Sequence, residues 1–431
     1  MTLQLTSPRV PQEIIEYVTD FLHDDPSTLI SCSLTNSCWL RPARFHLYHT
    51  ITVDSSYGVA SEEIRPLLIL LLSSKMTREY TRELHFVGGT FKPYYSPLAI
   101  PFIHQVLQRL PNLHTLKLFN INLGLDDPSI ELRDVIAQLA LPPTDSFPNN
   151  LRKLSITCVP HSQKRLMSVL SWFNSIRLFH LSDYTTYATR DPESTSTSSL
   201  TSNVKIVSLH IDNTLLPDVY PQYLPSLPET LKELTVNLKV QDIPFRSATP
   251  GAQPIQHLNS GLLDHVGSNL SALHLRFENM STGRNFDDPA RVERMVSKLN
   301  LVRCVGLEKM TVSILSDHTF QYKILVPLLQ SLPGNHIRKL TINLLIPPGD
   351  IHLLEPHLRK IDIWEELEEC ILNTFDKLRS LTMTYGRVER VGTQYESVEE
   401  SHVVHRSYMV DRLPRLLEKR ILSCEGDTRF R

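Results

Sequence analysis

A phrase of the form apolar-x-x-apolar-x-apolar returns along most of the chain and limits its fold more than any other feature. It reads "LHTLKL" from residue 113, "LRKLSI" from 151, "IRLFHL" from 176, "IVSLHI" from 206, "LKELTV" from 231, "LSALHL" from 270, "LEKMTV" from 307, "IRKLTI" from 337 and "LRSLTM" from 378, with "TRELHF" from 81 as a weaker earlier copy. The starts lie about 25 to 41 residues apart. Each copy ends with every second residue apolar, the mark of a strand with one face on a core. Between copies lie helix-like stretches at 102–110, 130–141, 164–173, 290–301 and 322–332, the fourth announced by Asp288 and Pro289 as cap and first-turn residue. A doubly wound α/β domain also alternates strand and helix, but it does not recycle one leucine phrase. The expectation is therefore an α/β chain built as a parallel solenoid.

From residue 80 to 425 the phrase resembles a leucine-rich repeat, an irregular one. The asparagine that such repeats carry three positions past the third leucine is Ile121 and then Val159 here, and the repeat length varies. The resemblance implies long loops, of which 190–202 and 246–254 are the clearest; the first, rich in Ser and Thr, is expected to be disordered. Only 14 glycines against 29 prolines argue against a glycine-rich nucleotide fold.

In front of the repeats, "VPQEIIEYVTDFL" at 10–22 places Ile14, Ile15, Val18, Phe21 and Leu22 on one helical stripe. Asp25 and Pro26 open a second helix with Leu29, Ile30 and Leu34, and a third runs through Trp39 and Ala43 toward Tyr48. Three helices in some 40 residues bury too little surface to stand alone, so their apolar faces must dock elsewhere. Pro11, Glu13, Ile14, Val18, Leu22, Leu34 and Trp39 stand in the order and spacing of an F-box, followed by Ala43 and Arg44. Departures are Val10 for the usual leucine, and Asn36 and Ser37 for the usual cysteine and basic residue.

The whole chain is similar to fungal F-box proteins with leucine-rich-like repeats, which gives an expected F-box-like unit at 8–48 and a repeat region at 49–431. The resemblance implies that Pro11, Glu13, Ile14, Ile15, Val18, Leu22, Leu29, Leu34 and Trp39 bind a Skp-type adaptor and through it a cullin ubiquitin ligase. A protein target of unknown identity would lie on the repeats. The alternative is a repeat scaffold outside any ligase, whose F-box-like front has decayed into a cap.

In either case the residues between the core leucines line the second face of the strands. They pair as Lys117 and Phe119, Ser155 and Thr157, His180 and Ser182, His210 and Asp212, Thr235 and Asn237, His274 and Arg276, Thr311 and Ser313, Thr341 and Asn343, Thr382 and Thr384. Most are small and polar, as strand propensity alone gives. Lys117, Phe119, His210, Asp212, His274 and Arg276 are the candidates for target contact, being aromatic or charged.

Other classes find little support. Lys plus Arg is 44 against Asp plus Glu 46, so no basic field points to nucleic acid or an anionic membrane. The chain lacks a P-loop, G-x-G-x-x-G and G-x-S-x-G, so no enzyme is expected and no cofactor. His46 with His49 and His402 with His405 are the nearest histidine pairs, the second preceded by Glu399 and Glu400, but neither has a motif to complete a metal shell. "WEELEE" at 364–369 reads as the polar side of a helix. The six cysteines show no C-x-x-C spacing and read as reduced, mostly buried thiols. With no signal-like opening, and "LLILLL" at 67–72 as the longest apolar run, an intracellular protein, cytoplasmic or nuclear, is expected.

Overall fold

The structure, a computed structural model, describes residues 10–55, 60–88, 96–97, 100–123, 147–157, 163–182, 203–212, 224–239, 260–278, 289–315, 319–334, 336–346, 363–387, 389–391, 394–396 and 412–423. These fall into two compact units, the first ending at Ile176 and the second beginning at Arg177.

The first unit opens with three helices, α1 Gln12–Phe21, α2 Pro26–Thr35 and α3 Ser37–His49. Asp25 caps α2: its carboxylate accepts from the Thr28 amide and hydroxyl and from Ser27, and these bonds lower its pKa to about 2. Asn36 caps α3 through the Cys38 amide. Helices α1 and α2 both pack on α3, and the Asp20 carboxylate meets His46 Nε2 at 2.8 Å, tying α1 to α3. Ile15, Leu29 and Ala43 are buried.

Strand β1, Thr50–Ser55, follows at once. It pairs in parallel with β2 Glu83–Gly88, β2 with β3 Thr115–Phe119, and β3 with β4 Asn150–Thr157. Helices α4 Ala60–Ser73, α5 Lys75–Tyr80, α6 Ile100–Gln108 and α7 Gln163–Leu170 lie between or after them. Leu84 and Phe86, Leu116 and Leu118, Leu154 and Ile156 occupy matching register positions and are all buried. The weak copy at 81 is thus a strand like the others.

In the second unit the strands are β5 Ser175–Ser182, β6 Lys205–Asp212, β7 Glu233–Lys239, β8 Ala272–Glu278, β9 Lys309–Leu315, β10 Lys339–Ile346, β11 Ser380–Arg387 and the short β12 Leu422–Ser423. They lie side by side in chain order. The pairs from β6 to β12 are all parallel. The alternating leucines face a core: Leu209 and Ile211, Leu234 and Val236, Leu273 and Leu275, Met310 and Val312, Leu340 and Ile342, Leu381 and Met383. Helices α8 Leu227–Thr230, α9 Ser260–Val266, α10 Pro289–Lys298, α11 Leu325–Gln330, α12 Trp364–Thr374 and α13 Pro414–Glu418 fill the connections. Helix α8 packs on α9, α10 on α11, α11 on α12, and α12 on α13.

The chain is therefore α/β, with parallel strands behind a three-helix N-terminal unit. Some expectations need correction. The helix at 322–332 is shorter: Thr319–Ile324 is a 3-10 turn, and Pro327 sits in the first turn of the α-helix that begins at Leu325, where a missing amide costs nothing. Glu368 in "WEELEE" is buried, not on a polar face, because its carboxylate accepts from the Leu416 amide at 3.0 Å and substitutes for the side-chain cap that α13 lacks. Cys304 and Cys370 are buried, but Cys32 is half-buried and Cys38 exposed. Burial pushes the Cys304 thiol up to about 12. The stretches 130–141, 190–202 and 246–254, Asp288, and the pair His402 and His405 lie outside the described residues. No described helix is long and apolar enough to cross a membrane.

Candidate functional site

Two surfaces stand out, one in each unit. On the first unit, Val10 is exposed just ahead of α1, α1 turns Ile14, Tyr17, Val18 and Phe21 outward, and α2 adds Ile30 and Leu34. Positions 14, 17, 18 and 21 form one helical stripe. Leu34 is 81 % exposed and Phe21 70 %, values at which a large apolar side chain is fully wetted. Tyr17 and Phe21 meet edge to face with ring centroids 4.8 Å apart.

Of the residues expected to bind an adaptor, Pro11, Glu13, Ile14, Val18 and Leu34 are exposed, while Leu22 and Trp39 are half-buried. Ile15 and Leu29 are corrected: they are core residues that hold α1 and α2 in the bundle, and no outside chain can reach them. Tyr17, Ile30 and Phe21 are further exposed apolar residues of this surface that the expected set leaves out. Counting forward from Ile14 at helical spacing reaches Tyr17, Val18 and Phe21.

On the second unit the strand positions between the buried leucines come into register as the sequence pairs them. His210, Thr235, His274, Thr311, Thr341 and Thr382 form one row, and Asp212, Asn237, Arg276, Ser313, Asn343 and Thr384 the next. Lys117 and Phe119 hold the equivalent positions in the first unit, beside His85 and Val87 of β2, and are half-buried. Burial, with Lys117 as the next contributor, lowers the pKa of His85.

At one end of these rows His180, His210 and Asp212 converge. The two imidazoles stack with centroids 4.4 Å apart and planes 18° from parallel. His180 Nε2 lies 2.7 Å from Asp212 Oδ2, and His210 Nε2 lies 2.9 Å from Oδ1. Burial alone would raise the Asp212 pKa, yet these two hydrogen bonds and the charge of both rings hold it below the usual carboxylate range. Further along, Thr384 Oγ1 donates to Asn343 Oδ1 at 2.6 Å, Asn343 Nδ2 donates to Ser313 Oγ at 2.9 Å, and Ser313 Oγ lies 2.8 Å from His274 Nε2. The candidates His210 and Asp212 thus sit in one polar cluster and His274 in a second, with Arg276 beside Ser313 in register. The other members of the two clusters, His180, Ser313, Asn343 and Thr384, looked like ordinary strand residues because each gains meaning only from its cross-strand neighbour.

His46 Nε2 lies 2.8 Å from Asp20 Oδ1, and burial, ahead of nearby charges, lowers the pKa of His49. No protein-family model matches the chain, and no curated protein matches its sequence.

Proposed function

We propose that this chain is a substrate-recognition subunit of a cullin-based ubiquitin ligase, binding a Skp-type adaptor through its first three helices and a target protein through the polar strand face. In this reading the strands and helices behind the front unit form an irregular leucine-rich-repeat-like solenoid, and other subunits transfer ubiquitin. The observation that carries it is the outward apolar stripe of α1 and α2 on a unit whose own core, Ile15 and Leu29, is already closed. Burying each such aliphatic or aromatic side chain on a partner is worth about 1.5 to 3 kcal/mol before ordering costs. The parallel strands in chain order and the matched register of the leucine phrases support the repeat reading.

The scaffold alternative requires the apolar stripe to serve as a cap on the chain's own repeats. Ile14, Tyr17, Phe21 and Leu34 are exposed instead, which favours an external partner. The deciding experiment mixes the full-length chain with a purified Skp-type adaptor and follows the complex by gel filtration and calorimetry. A one-to-one complex that persists from about 0.1 to 0.5 M salt is expected, since apolar contact is little screened. Absence of any complex refutes the reading.

A further inference from the structure

We propose that His180, His210 and Asp212 form a binding site for one divalent cation of the zinc class. Their ligand atoms, two imidazole nitrogens and a carboxylate oxygen, all lie within 4.8 Å of one another. Two neutral nitrogens and one anionic oxygen are the donor set that suits Zn²⁺, Co²⁺ or Ni²⁺ and not Mg²⁺, which asks for oxygen ligands. This site does not depend on the ligase reading.

Both Nε2 atoms already meet the Asp212 carboxylate, one at each oxygen. Binding one ion requires the two rings to tilt out of their 18° stack so that their nitrogen lone pairs converge. Donors bound tetrahedrally at about 2.0 to 2.2 Å stand roughly 3.4 Å apart, so the present 2.7 and 2.9 Å contacts must open by about 0.5 to 0.7 Å to make room. Each imidazole then carries its proton on Nδ1 in place of the Nε2–H that the carboxylate now accepts. His180 on β5 and His210 with Asp212 on β6 lie on neighbouring strands of the sheet, so the backbone brings all three side chains together before any ion arrives.

A second observation points to a ligand. Asn237 on β7 stands beside Asp212 in register, is 8 % exposed, and its Oδ1 has no hydrogen-bond partner among the described residues. A buried acceptor without a donor is costly. A water bound to the ion would be such a donor. Three protein ligands leave a coordination position open for a water, and the 36 % exposure of the His210 side chain lets solvent reach the cluster.

The test uses full-length protein stripped with chelator, titrated with Zn²⁺ alone and, separately, with Co²⁺ alone. One equivalent of Zn²⁺ should remain after dialysis, and Co²⁺ should give a visible ligand-field band. His180→Gln, His210→Gln and Asp212→Asn, each near-isosteric and checked by circular dichroism, should each weaken uptake by at least about tenfold. Cys38→Ser should leave it unchanged. The proposal is overturned if the stripped protein takes up no Zn²⁺, if uptake survives in all three variants, if it disappears with Cys38, or if Mg²⁺ binds as tightly.

Discussion

Ile14 and Ile15 are adjacent in sequence and face opposite ways, the first 50 % exposed on the outer side of α1 and the second 4 % exposed on the side of α1 that is buried in the bundle. Under the proposed function, the two positions therefore separate adaptor binding from folding. Ile14→Glu combined with Phe21→Glu should abolish adaptor binding while shifting the melting temperature by no more than a degree or so, because neither side chain is in a core. Ile15→Ala should instead cost about 2 to 4 kcal/mol through the cavity it leaves, with loss of helical signal before binding is affected. Pull-down on immobilised adaptor and thermal circular dichroism read the two effects apart.

Glu368 and Leu416 provide a test of the C-terminal docking. The Glu368 carboxylate accepts the Leu416 amide in a buried setting, so it closes one open donor at the start of α13. Glu368→Ala leaves that amide without an acceptor and should cost about 1 to 3 kcal/mol, whereas Glu368→Gln keeps an acceptor oxygen and should cost less. Hydrogen exchange offers the sharper measurement. Amides of 414–418 should lose protection in the alanine variant while those of β9 and β10 keep theirs. Uniform loss, or none, contradicts the capping role.

The strand pattern and the row pairing were legible because period-two alternation fixes which residues share a face, and one-residue slips would have put Leu340 or Leu273 in water. The face of α1 was only partly legible. Ile14, Ile15, Val18 and Leu22 belong to one broad apolar arc, and sequence alone does not say where along that arc the partner helix ends and solvent begins. What decided it was the packing of α1 on α3, which takes Ile15 and Thr19 inward. The convergence of His180 with Asp212, 32 residues apart, is a property of strand adjacency, and Glu368 is a property of which helix follows it. Neither has a local spacing to read.

Gly334 marks a close approach between the turn before β10 and the end of α12. A Cβ on Gly334 would overlap the carbonyl oxygen of Thr374, the last residue of α12. The obstacle is backbone, so it cannot rotate away. Gly334→Ala should destabilise by about 1 to 3 kcal/mol, read as a lower urea midpoint with unchanged slope. An alanine variant as stable as the parent would show that the turn has room to move.

His274 should make the second unit sensitive to mild acid. Burial, with the charges of His210 and Arg276 adding to it, lowers its pKa from 6.5 to about 4. The unfolded chain therefore binds this proton more readily than the folded one between those values, and stability rises with pH across that window. The contribution is complete above about pH 6.5, falls as the pH drops toward about 4, and changes no further below that. A shift of this size corresponds to roughly 3 kcal/mol. Asp212 acts in a different window, because its depressed carboxylate costs stability only below its ordinary value of 3.8. His274→Gln removes the titrating group and keeps a polar side chain near Ser313, the His274 hydrogen-bond partner. Denaturation curves at pH 7 and pH 4.5 should then show the parent losing about 2 kcal/mol more than the variant between the two. If both lose stability in parallel, His274 is not the group that senses the acid.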